Sequence, residues 1–171
     1  MKLDEALSGC RSIRKYESRS ISRDLILRLM EAAETAPSAG NLRARRYFVV
    51  IKQEIRKVLA ISAYGQSQVE NAPVLIVICS DIERSRRRYG DRGNLYSIQD
   101  ATVAAMCLLL KAYDLGLGAC WNGAFDEEII RETLDLGTSI VPIAMISIGW
   151  PAEQPTSPPK RQIEEVVNWI E

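Results

Sequence analysis

Val74-Leu75-Ile76-Val77-Ile78-Cys79 runs for six residues without a polar side chain. A strand that is apolar at every position must be covered on both faces, so this run implies a sheet buried between two other layers. Asn71-Ala72-Pro73 punctuates it on one side, and the polar, Arg-rich stretch from Asp81 to Asn94 follows as a loop or short surface helix. Upstream, Tyr47-Phe48-Val49-Val50-Ile51 reads as a second buried strand. Downstream, Val141 to Ile148 reads as a third, closed by Gly149-Trp150-Pro151. Helical patterns lie between them. Asp4 to Cys10 makes a short helix. Ser22 caps one whose apolar stripe is Leu25, Ile26, Leu29, Met30 and Ala33, and Pro37 ends it. A helix around Glu54 to Ile61 follows the first strand. Ile98 to Leu115 is apolar almost all round and therefore central, stopped by Gly116-Leu117-Gly118. Gly118 to Trp121 leads into a loop at Asn122-Gly123-Ala124-Phe125, after which Asp126 caps a helix through Leu134. Helices and buried strands interleave, giving an α/β or α+β sandwich with helices on both sheet faces. Four prolines between Pro151 and Pro159 make the tail an extended spacer, and Gln162 to Trp169 is a last helical or extended segment.

The 171 residues are read as one domain, 1–171. Lys+Arg and Asp+Glu balance at 22 each, so no overall field recruits nucleic acid or an anionic membrane. The chain has no histidine, which excludes Ser-His-Asp and Cys-His catalysis and His-ligated metal sites within one chain. Cys10, Cys79, Cys107 and Cys120 are scattered with no CxxC pair and read as reduced and structural. No residue is assigned a catalytic role and no metal is expected, so a cofactor is the economical source of chemistry. No strand runs into GxGxxG and no P-loop is present. No apolar leader follows Met1-Lys2-Leu3-Asp4-Glu5, and Ala101 to Leu110 is too short to span a bilayer, so a cytoplasmic protein is expected.

Two segments carry the chemistry. Arg11-Ser12-Ile13-Arg14-Lys15-Tyr16 packs cationic groups and a hydroxyl together; guanidinium forks match phosphate oxygens. The same residues would also serve as a solvated basic turn at the end of the first helix. In Ala36-Pro37-Ser38-Ala39-Gly40-Asn41 the small side chains let a planar ring lie against the main chain, although such residues also make ordinary helix-stop loops.

With these segments, Ser97-Ile98-Gln99-Asp100-Ala101, Leu115-Gly116-Leu117-Gly118-Ala119-Cys120-Trp121, Ile148-Gly149-Trp150-Pro151 and Lys160-Arg161, taken in order from end to end, the chain resembles the nitroreductase family of flavin mononucleotide (FMN) enzymes. The resemblance implies an α+β three-layer sandwich with a mixed sheet flanked by helices. It also implies an intertwined homodimer in which residues 151–171 form an arm reaching the partner, with FMN at the interface. Carried over by position, Arg11, Ser12, Arg14 and Arg161 hold the phosphate and ribityl chain. Pro37, Ser38, Ala39, Gly40 and Asn41 flank the ring from the other subunit, and the backbone around Gly123 and Ala124 approaches the flavin N5. Trp121 and Trp150 pack.

The chain departs from the family pattern in three places. Cys10 stands where many members carry a further arginine. Arg43-Ala44-Arg45 replaces a common Gln-Pro-Trp, placing Arg43 near the ring edge unless it and Arg45 face solvent. The run from Arg84 to Arg92 falls where the family has a variable active-site cover, and is either that or a solvated loop. The resemblance implies an oxidoreductase that takes hydride from NAD(P)H and passes it to a small organic acceptor, nitroaromatic or quinone, in a ping-pong cycle. A flavin-binding or sensing module without turnover is the other reading, as is a specialised family chemistry such as dehalogenation or flavin breakdown.

Overall fold

The computed structural model describes residues 2–171. Four strands, β1 (Arg45–Val50), β2 (Val74–Asp81), β3 (Gly118–Asn122) and β4 (Ile140–Gly149), form one sheet in the order β1-β2-β4-β3. All eight residues of β2 are buried, as an apolar run at the centre of a sheet requires. Its side chains alternate between two cores. Val74, Ile76 and Ile78 pack with Ala144, Ile146 and Ile148 of β4 on one face. Leu75, Val77 and Cys79 pack with Val50 and Met145 on the other.

The first core is closed by α2 (Arg23–Glu34) and by α6 (Arg92–Asp114), whose Ala101, Ala104, Ala105 and Leu108 are fully buried. The second is closed by α3 (Gln53–Ser62), α4 (Ser67–Asn71) and α7 (Glu127–Leu134) through Leu59, Val69 and Ile130. The α+β three-layer class is as expected, with helices on both faces. Within one chain all three strand pairings are antiparallel. The parallel element of the expected mixed sheet is a single bridge, Ser12 to Ala119, outside the strands.

Local signals placed the helices well. Ser22 accepts from the Leu25 N–H and Asp126 from those of Glu128 and Ile129, so both expected N-caps form. The differences have physical reasons. Gly118 to Trp121, read as leading into a loop, is an edge strand, because its partner β4 supplies a pairing that no local alternation announces. Of the two readings of Asp81 to Asn94, a loop or a short surface helix, the helix forms as α5 (Ile82–Tyr89), followed by the first turn of α6. The Asp81 carboxylate caps α5 by accepting from the Arg84 N–H. The central helix therefore begins six residues before Ile98. α6 is long and apolar enough to span a membrane, but here it is the helix on which the first core is built.

Candidate functional site

The basic segment is fixed by its backbone, which leaves its side chains to project. After α1 (Leu3–Gly9) the chain lies along β3, with the Ile13 N–H donating to the Ala119 carbonyl at 2.9 Å. The approach requires glycine at 118, where a Cβ would sit 2.7 Å from the Ile13 side chain. The tail then crosses over. Glu17 N–H donates to the Trp150 carbonyl and Ala152 N–H to that of Lys15. The Glu153 carboxylate accepts from the backbone of Arg14 at 2.5 Å and of Lys15 at 3.0 Å. Those N–H groups hold the Glu153 carboxyl below its ordinary value. Tyr16 anchors the turn from inside, its hydroxyl meeting the Ile13 carbonyl at 2.5 Å and the Ser147 hydroxyl at 2.9 Å.

Ser12 and Arg14 are exposed and Arg11 is half-buried. Arg11 donates to the Cys10 carbonyl at 2.7 Å and to the Ser157 hydroxyl at 2.6 Å, leaving further guanidinium N–H groups free. A cavity of about 330 Å³ opens beside it, lined by Cys10, Arg11, Tyr113, Gly118, Glu153 and Pro155 among others. The two chain ends thus meet, and Ser157 is the tail residue that reaches Arg11. Arg161, four residues further on, is exposed and pairs with Glu165 at 3.6 Å. Nothing in the sequence around Ser157 distinguished it from the rest of the proline-rich spacer.

Gly123 and Ala124 follow β3 directly, exposed at its end. The strand is pinned there by Asn122, buried, whose amide donates to the carbonyls of Cys120 and Met145 and accepts from Gln68 at 2.7 Å. The Ala124 carbonyl accepts from Gln66. Among the described residues, no hydrogen bond within the chain uses the N–H of Gly123 or Ala124. Ser12 pairs at Ala119, four residues from Gly123. The free donors and the basic segment are therefore separated by about 13 Å of one strand.

The small-residue loop is built differently. Gly40, Asn41 and Arg43 all have positive φ, and the Asp100 carboxylate at the first core accepts from the Ala39 N–H at 3.0 Å and the Ala44 N–H at 3.1 Å. Arg43 is exposed, 3.8 Å from Glu34. Arg45 does not face solvent. Its side chain is wholly buried, and it donates to Glu34 and to the carbonyls of Ala36 at 3.0 Å, Asp100 at 3.2 Å, Glu34 and Pro37. A guanidinium at that position folds the loop back on itself because it can satisfy several carbonyls at once.

Burial works against the Glu34 charge. Hydrogen bonds from Tyr47 and Arg45, with the charges of Arg45 and Arg43, outweigh it and hold this carboxyl below its ordinary 4.5. A depressed carboxyl contributes stability above the unfolded-state pKa, and loses it as pH falls through the folded one. Urea unfolding followed downward from pH 5 is therefore expected to show an acid loss in the wild type that Glu34→Gln reduces. Parallel curves would show that Glu34 contributes nothing to acid sensitivity.

Burial pushes the thiols of Cys10, Cys79 and Cys120 up, Cys79 to about 12, and no group of three metal-ligating side chains occurs among the described residues. The two candidate segments also lie apart. Arg45 opens β1 opposite Ser80, whereas Ala119 pairs with Ile148, which pairs with Val74. Along β2 that is six residues, about 20 Å, and β1 and β3 are the two outer strands, about 14 Å apart. The segments occupy opposite corners of the sheet.

The chain matches the family model described as the Nitroreductase family over residues 7–68 and 60–150. It is 31% identical to the NADH dehydrogenase of Thermus thermophilus, over 93% of this chain and 91% of that protein. It is 28% identical to an NAD(P)H FMN reductase of Bacillus subtilis, over 96% and 71%. Among solved structures, the NADPH:FMN oxidoreductase of Vibrio harveyi complexed with NAD+ superposes with a TM-score of 0.90 at 26% identity, covering 98% of this chain and 76% of that one.

Proposed function

Because this chain belongs to the nitroreductase family, we propose that it is an FMN-dependent oxidoreductase using NAD(P)H to reduce a small organic acceptor of nitroaromatic or quinone type. The observation that carries this reading lies along β3: the half-buried Arg11 and the exposed Arg14 in the basic segment, then, about 13 Å along from the Ser12 bridge, two unused backbone donors at Gly123 and Ala124. That donor set fits a molecule with an anion at one end and a ring bearing acceptor atoms at the other. Arg11, Ser12 and Arg14 would bind the phosphate, with Arg161 brought in from the tail. Gly123 and Ala124 would donate to the ring edge. FMN held there would supply the hydride chemistry that links NAD(P)H to the acceptor in two half-reactions. The chain's own residues orient the ring and stabilise its charge, and solvent supplies protons. No histidine is needed.

We place the complete site between two copies. Pro37, Ser38, Ala39, Gly40, Asn41 and Arg43 lie at the corner of the sheet opposite Ser12, so a ring flanked by both segments takes one from each subunit. Apolar side chains left exposed on α6 (Leu95, Ile98, Val103, Met106) and on the tail (Trp169 at 86%, Ile170 at 97%) support a partner that covers them. Residues 1–171 form one domain in this reading, with 151–171 as the exchanged arm. Its four unpaired cysteines suit the cytoplasm.

The purified protein is expected to be yellow, to release FMN on heat denaturation, and to be bleached by NAD(P)H without oxygen and recoloured by an acceptor. A flavin that NAD(P)H leaves oxidised would instead indicate a binding module. Light scattering at micromolar concentration is expected to give a dimer; a flavin-loaded monomer would rule out the shared site.

A further inference from the structure

The Arg-rich run is docked on the small-residue loop. α5 lies against it so closely that a Cβ on Gly40 would sit 2.4 Å from the Tyr89 hydroxyl and 3.0 Å from the Arg88 guanidinium. Arg84 Nε donates to the Leu42 carbonyl, and Arg88 Nη1 reaches that of Gly40 at 3.5 Å. On a helix face, a carboxylate about one turn away is the nearest partner a cation can take. Here the acids are already taken. Glu83 pairs with Arg87 at 2.6 Å, Asp91 with Arg86 at 2.8 Å, and Asp81 with Arg46 at 3.3 Å while capping the helix. Glu34 is shared between Arg45 and Arg43. Arg84, Arg88 and Arg92 have no carboxylate partner among the described residues. Arg92 lies instead over the Tyr96 ring and Arg88 over Tyr89.

We propose that Arg84 and Arg88, with Arg43 beside them, form a specificity site for an anionic group, phosphate or carboxylate, on the small molecule that reacts at the flavin. The inference rests on the FMN oxidoreductase reading, because the loop they grip is the one that flanks the ring. Each guanidinium spends one donor on a loop carbonyl and keeps the others for a ligand, so both are pre-oriented before anything binds. A planar fork matches a carboxylate or phosphate edge, and Arg84 and Arg88, with no carboxylate partner among the described residues, also raise the local concentration of anions. Two sources share this chemistry: the ribose phosphate that distinguishes NADPH from NADH, and an acidic substituent on the acceptor.

A ping-pong cycle lets the two be read separately in the holoenzyme. One arm compares kcat/KM for NADPH with NADH. The other compares para-nitrobenzoate with para-nitrobenzamide, which share a shape and differ in charge. The wild type is expected to prefer the anion in one arm, which names the source, and the preference is expected to shrink as salt is added. The double variant Arg84→Ala/Arg88→Ala is expected to lower the ratio of the partner with the extra anionic group to the partner without it about tenfold in that arm, and Arg84→Lys/Arg88→Lys to recover part of it. A structural role alone would depress charged and neutral substrates together and leave the ratio fixed. Equal handling, in both arms, of the partners with and without the extra anionic group, or a ratio the double variant does not move, overturns the proposal while NADH and para-nitrobenzamide still turn over. Loss of flavin and of all turnover in the wild type would instead overturn the oxidoreductase reading, and this one with it.

Discussion

Arg45→Ala lowers unfolding stability by about 3 kcal/mol or more. The guanidinium it removes is fully buried and hydrogen-bonded to four backbone carbonyls and one carboxylate. Glu34 is partly exposed and can be rehydrated, so most of the cost falls on the buried carbonyls of Ala36 and Asp100 and on the cavity left behind. For a chain of this size the melting temperature is expected to drop by about 6–12 °C. Arg45→Lys recovers little, because three donors on a compact ammonium cannot span carbonyls arranged for a planar fork. The consequence should reach the ligand as well. Without Arg45 the turn from Glu34 to Ala44 loses its inner tie, so residual flavin in the variant is expected to be more readily quenched by added iodide. A variant as stable as the wild type would show that these contacts contribute nothing net.

Arg11→Ala combined with Arg161→Ala is expected to weaken flavin binding by about two to three orders of magnitude. Each charge-assisted contact to a phosphate is strong, and alanine replaces none of it. The fold should survive, since Arg161 is exposed with Glu165 as its one ion-pair partner among the described residues, and Arg11 bonds the Cys10 carbonyl and one tail serine. Flavin retained after desalting reads the effect directly, and circular dichroism checks the fold. Ser157→Ala separates the two roles of Arg11: it cuts the tie to the tail but leaves the guanidinium, so most of the flavin should stay. Full retention of flavin by the double variant would remove the phosphate assignment.

Much of this molecule is legible in its sequence. The apolar run at Val74 to Cys79 demanded two covering layers and has them, with side chains alternating between two cores. Caps at Ser22 and Asp126 formed as their side-chain chemistry requires. The short edge strand at Gly118 was not legible, because its pairing comes from β4 and not from its own pattern. At Asp81 to Asn94 the sequence left a loop and a short surface helix both open, and the Asp81 cap decides for the helix at Ile82–Tyr89.

Residue types and local periodicity therefore determined the layers, the absence of a histidine-based mechanism and the two segments suited to an anion and a flat ring. Tertiary structure alone decided how those segments relate: the tail serine that reaches Arg11, the burial of Arg45 beneath the loop, the docking of Arg84 and Arg88 on it, and the separation of the basic turn and the small-residue loop to opposite corners of the sheet. The reason is range. Caps, stripes and turns are settled within a few neighbouring residues, whereas pairing across the sheet and the return of the tail depend on partners up to 146 positions away in the chain.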